Sequence, residues 1–281
     1  MPQPPLIPYT ELPLDGLDAG RVEALWMFVA SGPDLQRVLP DGRTDIVIRF
    51  RLEDDGETLS RPRIVIAGPT LHVRDVPAQA RTGLMGLRFT LGWAGACLGV
   101  SPKLLRDREL LHEDAEALIS AHAERLKRCR SLTELKRQLV STGQELLLAA
   151  RTTPGQLLAV EAVRLLRSAP ERPDLKLLCR QLGVSERALR REVIEAVGVP
   201  LRSLASIVRF HRAMMLMREP GARPSVVAAE AGYSDQAHMN REFQRYGRFT
   251  PAVPMQVPLI GRGAPPSGAG RNVQDRCDSR P

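Results

Sequence analysis

Two stretches of this chain repeat one pattern, and the repeat limits what the chain can fold into more than any other feature. In Leu175 to Val193, LKLLCRQLGVSERALRREV, Leu175, Leu178 and Leu182 recur at helical spacing beside the small Cys179, and the run stops at Gly183. A glycine there can take the positive φ that a tight turn between helices requires. Ser185 then caps a second helix with Leu189 and Val193 on its inner face and Glu186, Arg187, Arg190 and Arg191 outside. In Ser225 to Tyr246, SVVAAEAGYSDQAHMNREFQRY, Ala228 again precedes a turn glycine, Gly232, and Tyr233 is the apolar turn residue. A helix opens near Ser234 or Asp235, with Met239 and Phe243 inside and Gln236, Ala237, His238, Asn240 and Arg241 outside. A small residue that lets two helices cross closely, a turn glycine and a capped polar helix make the shape of a helix-turn-helix. Between the units, Leu204, Ile207, Val208, Ala213, Leu216 and Met217 predict one long connecting helix over Leu201 to Arg218. Such an arrangement would let one chain place two polar helices in successive major grooves, about one helical turn apart.

The rest of the composition is compatible with that reading. At 281 residues the chain has room for two domains, each with its own core. Charge is divided: Met1 to Ser120 is acidic on balance, whereas everything from Ala121 onward is basic, giving +8 overall. Nearly all the basic residues are arginine, whose planar fork suits phosphate and guanine, although an arginine-rich composition alone does not require a polyanion partner. The N-terminus has no basic start followed by an apolar run and cleavage site, and no stretch approaches the roughly 18 apolar residues of a membrane span. The expected location is therefore the cytoplasm, in association with the nucleoid. Cys97, Cys129, Cys179 and Cys277 form no Cys-x-x-Cys pair, so they are expected to be reduced thiols without a zinc site or disulfide framework.

Ahead of the repeat the texture is that of a small antiparallel β domain. Residues to about Leu17 are Pro-rich and read as a lead-in. Short apolar runs follow at Leu25–Val29, Asp45–Phe50, Ile64–Ile66 and Leu84–Phe89, separated by turns such as Pro40-Asp41-Gly42 and Asp54-Asp55-Gly56. Leu71-His72-Val73 is a candidate edge strand. Ser101-Pro102 looks like a helix start, and Glu113 to Arg130 and Ser131 to Arg151 read as two helices. In the second, Leu132, Leu135, Leu139, Leu146 and Ala149 fall at heptad-like positions, which fits either a homodimer seam or packing on the chain's own domain.

Residues from about Pro154 to Pro254 resemble the DNA-binding domain of the AraC/XylS family of bacterial transcription regulators. The residues that carry this are Gly232-Tyr233-Ser234-Asp235, Arg241-Glu242-Phe243, Gly247-Arg248-Phe249-Thr250-Pro251, Leu204 with Arg209 and Ala213, and Gly198-Val199-Pro200-Leu201. Three positions depart from the family pattern: Val193 and Met239 stand where a Phe is usual, and Pro224 where an Ile normally packs. The N-terminal part is similar, more weakly, to the β-rich sensor regions found ahead of such domains. The resemblance implies an α+β chain of two domains. A cupin-like β domain with trailing dimerising helices would span 1–151 (β region about 20–95, helices about 101–151). An all-α DNA-binding domain would span 153–254, and a flexible tail 255–281.

It also implies base contacts from Arg187, Arg190 and Arg191 in the first unit and from Ala237, Asn240 and Arg241 in the second, with Gln236 and His238 flanking. Arg can bind guanine with two hydrogen bonds, Gln can pair with adenine, and Ala offers thymine only a methyl contact, so the first unit should carry more sequence information. The expected partners are double-stranded DNA, an unknown small-molecule effector and, as further possibilities, RNA polymerase and a second copy of the chain. Trp26, Trp93 and Arg88 are candidates for an effector pocket, with a core role for the tryptophans as the alternative. Catalysis is not expected, nor is a metal or cofactor. Among His72, His112, His122, His211 and His238 there is no His-x-His or His-Glu-x-x-His, and no Gly-x-Ser-x-Gly or Walker loop occurs. The competing reading is an architectural DNA binder without sequence preference, which would leave the β domain without a role.

Overall fold

The computed structural model describes residues 7–168, 175–251 and 259–260. Its N-terminal part holds two sheets. The larger is antiparallel, in the order β1 (Ile7–Leu12), β2 (Val22–Val29), β7 (Thr82–Phe89), β4 (Asp45–Leu52), β5 (Leu59–Ala67) and β8 (Glu109–Leu111). The smaller runs β6 (Arg74–Ala78), β3 (Asp34–Val38) and β9 (Leu259–Ile260), with β9 parallel to β3. The four apolar runs are β2, β4, β5 and β7, the interior of the large sheet. Where these runs are nearly continuously apolar both faces are covered, whereas the far halves of β4 and β5 alternate and leave Arg49, Arg51, Arg61 and Arg63 exposed. Ile46, Ile48 and Phe50 face a helical layer, while Val47 joins Trp26, Phe28 and Ala78 on the side of the small sheet.

The helical layer is α1 (Ala94–Leu98), α2 (His112–Leu118), α3 (Ser120–Arg128) and α4 (Leu132–Ala149). Leu135, Leu139 and Leu146 of α4 are buried against Leu87, Ile119 and Leu126 of their own domain. Packing on the chain's own core therefore takes up Leu135, Leu139 and Leu146 of the heptad, while Leu132 is half-buried and Ala149 exposed. Ser131 caps α4 by accepting from the Glu134 backbone N–H at 3.1 Å, and Glu134 accepts in return from the N–H of Arg130 at 2.9 Å.

Several boundaries differ from expectation. The lead-in contributes β1, which pairs with β2. Leu71-His72-Val73 is not a strand but leads into β6. Ser101-Pro102 opens a 3₁₀ turn, Pro102–Leu105, rather than a helix, and the helix expected over 113–130 breaks at Ile119 into α2 and α3. Leu259–Ile260, expected in a solvated tail, form a strand against β3; the rest of that tail, with Cys277, lies outside the described residues.

The C-terminal part is helical: α5 (Pro154–Ser168), α6 (Leu175–Leu182), α7 (Glu186–Val197), α8 (Leu201–Leu216), α9 (Pro224–Glu230) and α10 (Gln236–Gly247). Helix α8 belongs to two cores. Its Leu201 and Leu204 pack with α5, α6 and α7, and its Ile207, Phe210, Ala213 and Met214 pack with α9 and α10. The β region enters both cores, with Leu91 in the first and Leu39 and Val73 in the second. Among the described residues, no helix is long and apolar enough to cross a membrane.

Candidate DNA-binding interface

The two repeats close their turns in the same way. In the first, Gly183 takes φ +65° and the N–H of Val184 donates to the Cys179 carbonyl at 3.1 Å. In the second, Gly232 takes φ +82° and the N–H of Tyr233 donates to the Ala228 carbonyl at 2.8 Å. The residue after each glycine thus satisfies a carbonyl of the helix that has just ended, which fixes the direction of the next helix. That helix starts on a side-chain cap in both cases: Ser185 accepts from the Ala188 N–H at 3.2 Å, and Asp235 from the His238 N–H at 2.6 Å. The unusual residues at the inner face fit, since Val193 and Met239 are both fully buried and Pro224 occupies the first turn of α9, where its missing N–H costs nothing.

The outward residues divide by how engaged they already are. Arg187, Arg190 and Arg191 of α7 are exposed. Arg190 is paired with Glu186 one turn back, and Arg191 with Glu192 at 2.7 Å. Arg187 makes no ion pair or side-chain hydrogen bond among the described residues. Gln236, Ala237 and Arg241 of α10 are exposed, and Asn240 is half-buried. His238 is also half-buried, with its ring edge-on to Tyr233 at 5.2 Å and its Nδ1 3.1 Å from the Ser234 hydroxyl. Arg202 and Arg209, neither of them among the expected base contacts, share a cavity of about 620 Å³ with Arg190.

Arg209 has a further role. It donates to Glu242 of α10 at 2.8 Å and lies over the Tyr233 ring at 4.8 Å, with both charged side chains about nine-tenths buried. Burial opposes the guanidinium charge, but Glu242 outweighs it and raises the pKa of Arg209. The pair is a strut between the connecting helix and the second recognition helix. Its residues were visible in the motif as Arg209 and Arg241-Glu242-Phe243, but not their contact.

The N-terminal domain grips the far end of each recognition helix. At α7, the Ser101 hydroxyl donates to the Glu195 carbonyl at 3.1 Å and Lys103 pairs with the Glu195 carboxylate at 2.9 Å. Gly198, which ends α7 at φ +86°, lies so close to Pro69 and Pro102 that a Cβ would sit 2.7 Å from them. At α10, Arg37 donates to the Gly247 carbonyl at 3.1 Å while Asp75 holds Arg37 at 2.7 Å and Arg248 at 3.4 Å. Between these grips, His211 of α8 donates from Nε2 to the Pro40 carbonyl at 2.8 Å. All these contacts leave the N-terminal halves of α7 and α10 open.

His211 gives the junction a pH dependence. Burial, together with the nearby Arg43 and Arg88, pushes its pKa down to about 4, against the opposing pull of the Pro40 carbonyl and Asp41. The folded state therefore binds fewer protons here than the unfolded state, and the stabilisation is complete above the ordinary value of about 6.5 and lost as pH falls toward 4. Thermal unfolding between pH 7.5 and 4.5 is expected to fall more steeply for the wild type than for His211→Gln, which keeps a donor to Pro40 without the titration. Parallel slopes would refute this.

Of the pocket candidates, Trp26 and Arg88 both line a cavity between the two sheets, whereas Trp93 is buried elsewhere beneath Arg21, whose guanidinium lies 4.7 Å from its ring. Burial pushes the Cys97 and Cys129 thiols up to about 11, so both are protonated at neutral pH and poor nucleophiles. His72 is on the surface, 3.2 Å from Asp107, and among the described residues no group of three or more His, Cys, Asp or Glu could hold a metal ion.

Comparison with known proteins agrees with this arrangement. A family model described as a helix-turn-helix domain matches residues 178–253, and a domain of unknown function, DUF6597, matches residues 16–111. No curated protein matches the chain. Among solved structures, ToxT from Vibrio cholerae O395 is 12% identical over 80% of this chain and 94% of its own, with a TM-score of 0.41. Unsaturated fatty acid bound ToxT from Vibrio cholerae strain SCE256 is 13% identical over 78% and 88%, with a TM-score of 0.40. The transcriptional regulator CdpR from Pseudomonas aeruginosa is 20% identical over 61% of this chain and 44% of its own, with a TM-score of 0.30. Superpositions this loose add no argument about function, and the assignment stands on the matched domain and its two turns. The C-terminal region of this chain is an AraC-type helix-turn-helix domain, and the protein is a DNA-binding transcription regulator.

Proposed function

We propose that the protein binds DNA sequence-specifically by setting α7 and α10 into successive major grooves, with base contacts from Arg187, Arg190, Arg191, Gln236, Ala237, His238, Asn240 and Arg241. The observation that carries this is the repeated turn: two capped helices, built by the same backbone hydrogen bond, expose polar N-terminal halves and are tied to one connecting helix. Arg187 is the foremost reader because it makes no ion pair or side-chain hydrogen bond among the described residues, while Arg190 and Arg191 must leave a neighbouring Glu to reach a base. The DNA-binding unit spans 153–254 behind a sensor domain at 1–151. The protein acts on cytoplasmic DNA as a binding module, without chemistry of its own. A signal at the N-terminal domain would act by favouring one arrangement of the two parts over another, which requires that it bind one of them better.

Selection from random DNA at near-physiological salt tests this. The expected result is a motif with two informative blocks about one helical turn apart. Tight binding with no motif would favour the architectural reading, in which phosphate contacts act alone. Arg187→Ala is expected to cost about 1–3 kcal/mol on the preferred site and to relax one base position. Uniform weakening on all sequences, measured by titration of matched and mismatched duplexes, would make Arg187 a phosphate contact instead.

A further inference from the structure

After the second helix-turn-helix unit the chain returns to the N-terminal domain. Arg248, which ends α10, takes φ +58° and is held by Asp75 at 3.4 Å. A left-handed residue other than glycine is uncommon, so this exit is specified and not a frayed end. The Phe249 ring then folds back over the helix terminus, 5.6 Å from Phe243 and 6.4 Å from Phe210, and so close to Gly247 that a Cβ there would sit 2.2 Å from it. Further along, Leu259 and Ile260 lie parallel to β3, Leu259 opposite Arg37 and Ile260 opposite Val38.

Arg37 is where these elements cross. On one side its strand pairs with β6, Asp75 opposite Arg37, and on the other with β9. Its guanidinium donates to the carbonyl of Gly247, one of the last carbonyls of α10, which have no partner within the helix. Whatever orders the β3 backbone at Arg37 therefore orders the side chain that grips α10. The small sheet is sunk into the same unit at two further points. Leu39, directly after β3, and Val73, directly before β6, are buried in the core that holds Phe210, Met239, Phe243 and Tyr246. The path from α10 through β9, β3 and Leu39 back to the core of α10 is thus a closed circuit. Its weakest link is β9, a two-residue strand in parallel pairing at the edge of the sheet. Such a strand opens at small cost while the sheet beneath it stays folded.

We propose that Leu259–Ile260 is a latch that positions α10: seated on β3 it keeps Arg37 against Gly247 and fixes the second recognition helix relative to the first, and unseated it leaves α10 free to shift. The latch stands independently of DNA; its consequence for base reading rests on α10 being a recognition helix. The seat is tested in the full chain by Val38→Cys/Ile260→Cys in a Cys277→Ser background, which puts two thiols on facing strand positions within the reach of a disulfide. Mild oxidation is expected to give an internally linked monomer. No link overturns the latch, and so does a linked dimer, because the strand on β3 would then belong to a second copy. The coupling is followed by hydrogen exchange without DNA. Leu259→Pro/Ile260→Pro removes both N–H donors of β9 and should speed exchange several-fold in β3 and at Gln244 to Phe249, with Glu186 to Val197 unchanged. Arg37→Ala should speed exchange at Gln244 to Phe249 with β9 intact. Unchanged exchange there in either variant overturns the coupling. On DNA, one base pair inserted between the two blocks of the selected motif should cost the wild type and the linked monomer about tenfold in affinity, but the proline variant about threefold or less, since only a fixed pair of helices is tied to one spacing. Equal penalties in the wild type and the proline variant overturn the positioning role. A latch that links and responds in exchange, in a protein that selects no motif, would instead count against the function proposed above.

Discussion

Replacing Asp45 with alanine is expected to destabilise the N-terminal domain by about 3 kcal/mol, because it leaves a buried guanidinium with only Asp41, 3.9 Å away, as a counter-charge. Arg88 is only 5% exposed and donates to Asp45 from Nε at 3.1 Å and from a terminal nitrogen at 2.9 Å. Burial alone works against the Arg88 charge, but Asp45 and Asp41 outweigh it and hold the guanidinium pKa well above its usual value. The Trp26 indole N–H donates to the same carboxylate at 3.1 Å and would lose its partner too. The urea midpoint measures the loss, and Trp26 fluorescence should shift as its hydrogen bond is exchanged for water. Asp45→Asn, which keeps an acceptor and loses the charge, should fall between the two. A loss below about 1 kcal/mol would mean that water reaches Arg88 and that the pair is effectively a surface one.

Arg209→Met should cost a similar amount, about 3 kcal/mol or more, and the loss should be confined to the second helix-turn-helix unit. Glu242 is buried on α10 and meets Arg209 at 2.8 Å, so the single substitution leaves a buried carboxylate with only Tyr233 and the His238 ring, 3.8 Å away, beside it. Arg209→Met/Glu242→Leu removes both charges and should recover most of the loss, since a buried pair gains little over well-packed apolar side chains. On DNA, the single variant should keep the motif block read by α7 and lose the block read by α10. Equal stability of the single and double variants in a double-mutant cycle would show that the strut is not what positions α10.

The helix-turn-helix repeat was legible because its determinants are local. Cys179, Gly183 and Ser185, or Ala228, Gly232 and Asp235, fix the crossing, the turn and the cap within a few residues of each other. The interior strands were legible for a related reason, because each carries a short apolar run where both faces are buried, even though β4 and β5 alternate further along. The edges were not: β1, β3 and β6 carry prolines and charges and exist by virtue of the neighbours they pair with. The heptad of α4 left two partners open, because an apolar stripe states that it will be covered and not by what.

The sequence by itself determined the two-part organisation, the pair of capped recognition helices and the residues they present, since each follows from patterns shorter than about twenty residues. Only the tertiary structure decided how the parts are joined. Arg37 reaching Gly247, Pro40 reaching His211 and Arg49 facing Arg63 are contacts between residues that are distant in the chain or on different strands, and no local pattern encodes them. The cavity between the sheets belongs to that second class, because a cavity is defined by surfaces that meet only after the sheets have formed.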